Sequence, residues 1–232
     1  MTRNVTRIRK KPIEEYNIGF GILSAGVGNK IKSYEPRALL KVAGKSILDT
    51  QIETVSNFFE GPDIVVAVGT HANRVIKKAR DKVRIVENQL YKTSNSAESM
   101  RLVFNNSSAD NFMFCHGDII FNDDTLNVNY DKSFIIVDSN SMIKDQEVGV
   151  TQVNGKLSIM SYGLPCKWGQ IAFFTGKERK ILKNIFHSFN DDDKKLLSFE
   201  VINKVVASGG KFECYEPKKM KLVEVDRIKD IR

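Results

Sequence analysis

From Asn17 onward, short apolar runs alternate with segments of helical period. The runs are IGFGILSA (18–25), IVVAVG (64–69), VRIVEN (83–88), FMFCHGD (112–118) and FIIVDS (134–139). Several are apolar at nearly every position, as strands covered on both faces should be. Between the first two, SILDTQIETVSNFF sets Leu48, Ile52, Val55 and Phe59 on one helical face, with Ser46 and Asp49 spaced as a capping box. Further helices are expected near 71–80 and 96–105. This alternation predicts β-α-β units and a mostly parallel sheet.

After about residue 145 the pieces are shorter and extended: EVGVTQV, KLSIMSY and KWGQIAFFT, with Asn154-Gly155 between the first two as a hairpin turn. Helical stretches at 176–188 and 194–207 follow, then KFECYEP, LVEVD and a short terminal helix. The division expected is a basic extension over 1–16 and one domain over 17–232. Within it, the change of pattern divides about 17–139 from about 140–220.

Composition narrows the function classes. The net charge of +8 is concentrated at one end, because Arg3, Arg7, Arg9, Lys10 and Lys11 lie in the first twelve residues with no acid among them. Without them 31 basic residues face 28 acidic ones. No basic stripe interleaved with aromatics remains, so no nucleic-acid partner is expected. No apolar run approaches the roughly 18 residues of a membrane span, and no apolar stretch of a secretory leader follows the basic start. A cytoplasmic protein without a membrane partner is expected, and a homodimer is compatible with this. Cys115, Cys166 and Cys214 lie far apart with no C-x-x-C pair, and His71, His116 and His187 are scattered. Neither disulfides nor zinc are expected.

The chemistry is concentrated in ILSAGVGNKIKSYEPRALLKVAGKSIL (22–48). A buried strand runs into Ala25, Gly26 and Gly28, where open α/β sheets bind ligands. The glycines let backbone N–H groups approach phosphate oxygens, and Lys30 and Arg37 supply positive charge. No Gly-Lys-Ser/Thr closes the segment as in a Walker loop, and the third glycine of a dinucleotide fingerprint is missing.

The whole string resembles the signature of the nucleotidyltransferase superfamily, which includes sugar-phosphate nucleotidylyltransferases and phosphocholine cytidylyltransferases. Ala25, Gly26, Gly28, Lys30, Pro36, Leu39, Gly44, Lys45 and Leu48 match it, while Arg37 stands where lysine is usual. VRIVENQLYKTSNSAESMRLVF looks like the family's Asn-x-x-Tyr…Asn-x-x-x-Ser-Leu segment through Asn88, Tyr91, Asn95 and Ser99, with Met100 in place of leucine. In this form it is closer to the choline-phosphate type. FMFCHGDII delivers Asp118 to a strand end, and LVEVDRIKDI resembles the family's closing Glu-x-Asp strand.

The resemblance implies an α/β, three-layer, Rossmann-like fold with helices on both faces of a mostly parallel sheet and a small antiparallel acceptor-binding part. It also implies transfer of a nucleoside monophosphate, CMP from CTP, to a small phosphorylated acceptor such as phosphocholine, with release of pyrophosphate. Lys30 and Arg37 would be catalytic. Leu23, Ala25, Gly26, Gly28, Asn88, Asn95 and Ser99 would bind the nucleotide. Asp118, Glu224 and Asp226 would hold Mg²⁺, which favours one or two carboxylates plus substrate oxygens. Trp168 is a candidate for the acceptor side, by attraction of a cation to its ring. The alternatives are a sugar-1-phosphate nucleotidylyltransferase using UTP, GTP or dTTP, a glycosyltransferase of related fold, and a non-catalytic nucleotide-binding relative.

Overall fold

The computed structural model describes residues 17–26, 36–79 and 81–225. The basic extension, Gly28, Lys30, Asp226 and the expected terminal helix lie outside the described residues. In chain order the elements are β1 (Ile18–Ser24), a 3-10 turn (Arg37–Leu39), β2 (Lys41–Val42), β3 (Lys45–Ser46), α1 (Ile47–Phe58), β4 (Asp63–Val68), α2 (Ala72–Ala79), β5 (Arg84–Glu87) and α3 (Ser96–Asn105). Then come β6 (Asn111–His116), β7 (Ile119–Phe121), α4 (Asp123–Leu126), β8 (Phe134–Asp138), β9 (Val148–Val153), β10 (Lys156–Tyr162) and β11 (Cys166–Phe174). The last are α5 (Gly176–His187), a 3-10 turn (Asp193–Lys195), α6 (Ser198–Ala207), β12 (Glu213–Tyr215) and β13 (Leu222–Glu224).

The nine-stranded sheet runs β5-β4-β1-β6-β11-β8-β12-β10-β9. Alternation along each strand sends side chains to two apolar layers. On one face Ile18, Phe20 and Ile22 of β1 and Met113 and Cys115 of β6 pack on Leu48, Ile52 and Val55 of α1 and Val75 of α2. On the other, Phe112 and Phe114 of β6 pack on Met100 and Val103 of α3, Leu182 of α5 and Val205 of α6. Gly21 lets α3 close on β1, since an added Cβ would sit 2.6 Å from Val103 Cγ2. Helices on both faces are as expected.

The expectation of a mostly parallel sheet is corrected: the sheet is mixed. β5, β4, β1 and β6 are mutually parallel, and β8 is parallel to β12. β11, however, enters antiparallel to β6 and β8 and also pairs with β9, while β10 is antiparallel to β12 and β9. A strand buried on both faces reads as the same apolar run in either direction, so orientation was not in the pattern. β11 therefore lies in the middle of the sheet rather than in an appended antiparallel part. Among the described residues no helix is long and apolar enough to cross a membrane.

Candidate active site at the carboxyl edge of the central strands

β1 and β6 end side by side, with Leu23 level with His116, and a cleft of about 550 Å³ opens beyond them. Leu23, Ala25, Gly26, Arg37, Asn88, Asn95, Ser99 and Asp118 all line it. The structure thus brings together the candidate residues from segments 22–37, 88–99 and 118 that it describes. At Gly26 an added Cβ would meet no atom of the described residues within 4 Å, and the backbone there borders the cleft.

Two glycines that sequence reasoning did not single out shape the floor. A Cβ at Gly117 would meet Ser24 Oγ at 2.0 Å and Leu23 O at 2.9 Å, and one at Gly69 would meet Ala25 O and Tyr91 Cβ at 2.6 Å. The only side chain that fits at these strand ends is hydrogen, and Gly117 N–H donates to Leu23 O at 2.9 Å. Gly117 therefore fixes where Asp118 emerges. Its signal was visible as the glycine between an apolar strand and an acid.

Asn88 is 2% exposed and organises the loop leading into α3. Its amide donates to Ser94 Oγ at 3.1 Å and Ser99 Oγ at 3.2 Å, while its Oδ1 accepts from the Leu90 N–H at 3.0 Å. Asn95 is exposed and caps α3, its Oδ1 accepting from Ser96 N–H at 2.9 Å. Asn88 and Ser99 thus hold the loop's shape, and Asn95 is left at the cleft surface.

Asp118 sits where this cleft meets a second one of about 180 Å³, which Arg37, His116, Asp118, Lys167, Trp168 and Glu224 help to line. Arg37 Nη1 bonds Asp118 Oδ2 at 2.5 Å. Asp118 Oδ1 and Arg37 Nε are buried without a hydrogen-bond partner among the described residues. A buried carboxylate oxygen left unsatisfied suits a hard cation that takes oxygen ligands. β13 brings Glu224 alongside: it is level with Ile119, and Val225 N–H donates to Asp118 O at 2.8 Å. Among the described residues no three His, Cys, Asp or Glu side chains gather as a metal cluster, and Asp226 lies outside them. The unsatisfied Asp118 oxygen therefore fits a cation that draws its other ligands largely from substrate, with Glu224 on the neighbouring strand.

His116 was missed by sequence reasoning because a histidine inside an apolar strand reads as core. Its Nε2 lies 2.8 Å from Ser198 Oγ. Burial pushes the imidazole below its ordinary value; the Asp118 carboxylate opposes this and the Arg37 guanidinium reinforces it. Lys167 bonds Glu147 at 2.8 Å and lies 3.5 Å from Glu224. Burial, the largest single influence, pushes Lys167 down and Glu147 up, but their hydrogen bond together with Glu224 beside Lys167 and Lys144 beside Glu147 outweighs it, holding Lys167 above its ordinary value and Glu147 below. Trp168 is 2% exposed, with its indole N–H donating to Ile171 O at 3.2 Å and its ring edge-on to His116.

Residues 21–130 match the MobA-like NTP transferase domain. A stretch of 105 residues is 31% identical to the bifunctional protein GlmU of Methanococcus maripaludis, covering 44% of this chain and 25% of that protein. The chain therefore spans about a quarter of the curated relative it matches. In three dimensions it is similar to the inositol-1-phosphate CTP transferase of T. maritima, with a TM-score of 0.74 and 17% identity over 94% of this chain and 92% of that one. It is also similar to the CTP:phosphocholine cytidylyltransferase of Streptococcus pneumoniae, with a TM-score of 0.70 and 17% identity over 92% and 96% of the two chains. A third similar fold is a glucose-1-phosphate thymidylyltransferase of Bacillus anthracis, with a TM-score of 0.73 and 14% identity over 92% of each chain. The match to the NTP transferase domain across residues 21–130 agrees with the resemblance carried by the glycine-rich segment, and over nine-tenths of its length the chain shares the fold of these nucleotidyltransferases.

Proposed function

We propose that the chain transfers CMP from CTP to a small phosphorylated acceptor and releases pyrophosphate. The observation that carries this reading is the position of Asp118 at the junction of the two clefts, one oxygen on Arg37 and the other buried and unpartnered among the described residues. A triphosphate in the larger cleft and an acceptor in the smaller one would then meet at that carboxylate.

An acceptor phosphate oxygen is already a nucleophile at neutral pH, so no strong base is needed. It attacks the α-phosphorus, a new P–O bond forms, and the bond to the β-phosphate oxygen breaks to release pyrophosphate. The chain's part is positioning and charge neutralisation. The backbone at Gly26 borders the space for the phosphates, and Arg37 and Lys30 offset their charge. Asp118 and Glu224, with Asp226, would hold Mg²⁺, which when bound offsets the negative charge of the triphosphate. His116, its Nε2 2.8 Å from Ser198 Oγ, keeps Ser198 and the start of α6 in place beside the junction.

CTP is favoured by the likeness of segment 88–100 to choline-phosphate cytidylyltransferases, and two of the similar structures use CTP by name. The similar thymidylyltransferase fold favours a second reading, a sugar-1-phosphate acceptor with another nucleotide. Pyrophosphate release with each ribonucleoside triphosphate and dTTP, with Mg²⁺ and a set of phosphorylated acceptors, tests both. Turnover with CTP supports the first reading, selective turnover of UTP, GTP or dTTP the second, and no release with any pair contradicts both.

A further inference from the structure

β11 is broken in its middle. Its register against β8 shifts between Trp168 and Ala172, and inside that shift Gln170 takes φ +58°. A left-handed backbone suits glycine and is strained for a residue with a Cβ. The neighbouring Gly169 is walled in, since an added Cβ would meet Ile136 Cγ2 and Leu222 Cδ1 at 3.1 Å. The chain thus carries a side chain at the position where glycine would be cheaper.

Packing does not account for that side chain. Gln170 is only partly buried and lines the smaller cleft beside Glu147, Lys167 and Glu224. Among the described residues no hydrogen bond is made by its amide. Strained backbone of this kind concentrates at ligand sites, and an unspent amide in a cleft is a recognition group.

We propose that Gln170 reads the acceptor, its amide hydrogen-bonding hydroxyl groups of a phosphorylated polyol seated in the smaller cleft. This rests on the proposed function and narrows its substrate class. An amide offers both a donor and an acceptor, which a hydroxyl can satisfy and a trimethylammonium group cannot. Lys167 pairs with Glu147 at 2.8 Å and lies 3.5 Å from Glu224, so the lining next to Gln170 is rich in groups that hydrogen-bond hydroxyls. Trp168 is almost wholly buried and leaves no open face for a cation.

The test compares wild type with Gln170→Gly, which removes the amide and relieves the backbone, and Gln170→Asn, which keeps a shorter amide and tolerates the left-handed region. The acceptor probes are inositol 1-phosphate, glycerol 3-phosphate, glucose 1-phosphate and phosphocholine, with the preferred nucleotide held saturating. Wild type should favour a hydroxylated acceptor. Gln170→Gly should lose roughly 10- to 100-fold in kcat/KM for it, chiefly through KM, as expected when a hydrogen bond to substrate is removed. Nucleotide affinity should be unchanged and Tm equal or higher, and Gln170→Asn should recover part of the loss. Unchanged acceptor kcat/KM in Gln170→Gly would overturn the inference, as would a wild-type preference for phosphocholine. A fall in Tm together with a loss of nucleotide affinity would make Gln170 structural and overturn it equally. If wild type releases no pyrophosphate with any pair, the underlying function fails, and the inference with it.

Discussion

Arg37 and Asp118 are 81 residues apart in the chain and joined by an ion pair, Nη1 to Oδ2 at 2.5 Å. The pair links the segment after the glycine-rich turn to the carboxyl end of β6, and both residues line both clefts. Arg37→Ala should therefore lower kcat by roughly 10²-fold, the scale for losing a preorganised electrostatic stabiliser, with a Tm change of a few degrees at most. Arg37→Lys keeps the charge but not the planar fork and should recover only part of the rate. Steady-state kinetics beside thermal melts check this. A wild-type rate in Arg37→Ala would confine the pair to structure.

Gly117 and Gly26 should respond oppositely to a side chain. Gly117→Ala forces a Cβ against Ser24 Oγ and Leu23 O, and overpacking of this kind costs roughly 1–3 kcal/mol. The Cβ added by Gly26→Val meets no atom of the described residues within 4 Å, so its melting should change little while nucleotide affinity falls. Chemical denaturation and isothermal titration on both variants separate the two effects. Equal nucleotide affinity in Gly26→Val would remove that glycine from the site.

Asn88→Ala deletes three hydrogen bonds from a buried position. Leaving their partners unsatisfied should cost roughly 1–3 kcal/mol, and the loop before α3 should lose protection in hydrogen exchange. Nucleotide affinity should fall with it. If stability drops and affinity does not, the loop's shape is unimportant for the nucleotide.

Asp49 gives a pH dependence. It pairs with Lys82 at 2.6 Å and Lys78 at 3.0 Å, tying α1 to α2 and the residues after it. Burial pushes its carboxyl up, but hydrogen bonds from Lys82, Ser46 and Lys78 outweigh that and lower it from 3.8 to about 2. Because the folded value is the lower one, the contribution is complete above 3.8 and is lost as pH falls toward 2. Solvent screening limits it to roughly 1 kcal/mol. Asp49→Asn should lose that much at pH 7 and show a flatter stability profile in the acid window, measured by urea unfolding at stepped pH.

Much of this fold was legible in the residue pattern. Ser46 caps α1, accepting from the Asp49 N–H at 3.1 Å, and Asn154-Gly155 turns β9 into β10 with both residues at positive φ. The reciprocal half of the capping box is absent: Asp49 Oδ2 accepts from the Ser46 hydroxyl instead. The hairpin of β2 and β3 was not anticipated, being two residues per strand with Ala43 left-handed in its turn. β7 and α4 were likewise too short to carry a period. In the site, Leu23, Ala25, Gly26, Asn88 and Asp118 share one cleft as their motifs suggested. The Lys167–Glu147 pair and the strained Gln170 escaped notice, since both depend on the direction and register of β11, which an apolar run does not encode.

The most direct test of the central claim is titration of CTP into wild type and Asp118→Asn, with and without Mg²⁺, followed by pyrophosphate release on the same samples. Asp118 has one oxygen buried and, among the described residues, unpartnered, so replacing it should remove the Mg²⁺-dependent part of nucleotide binding and lower kcat by roughly 10²-fold or more, while the nucleotide-free protein melts within a few degrees of wild type. Asp118→Asn that binds CTP with Mg²⁺ and turns over as wild type does would contradict the account.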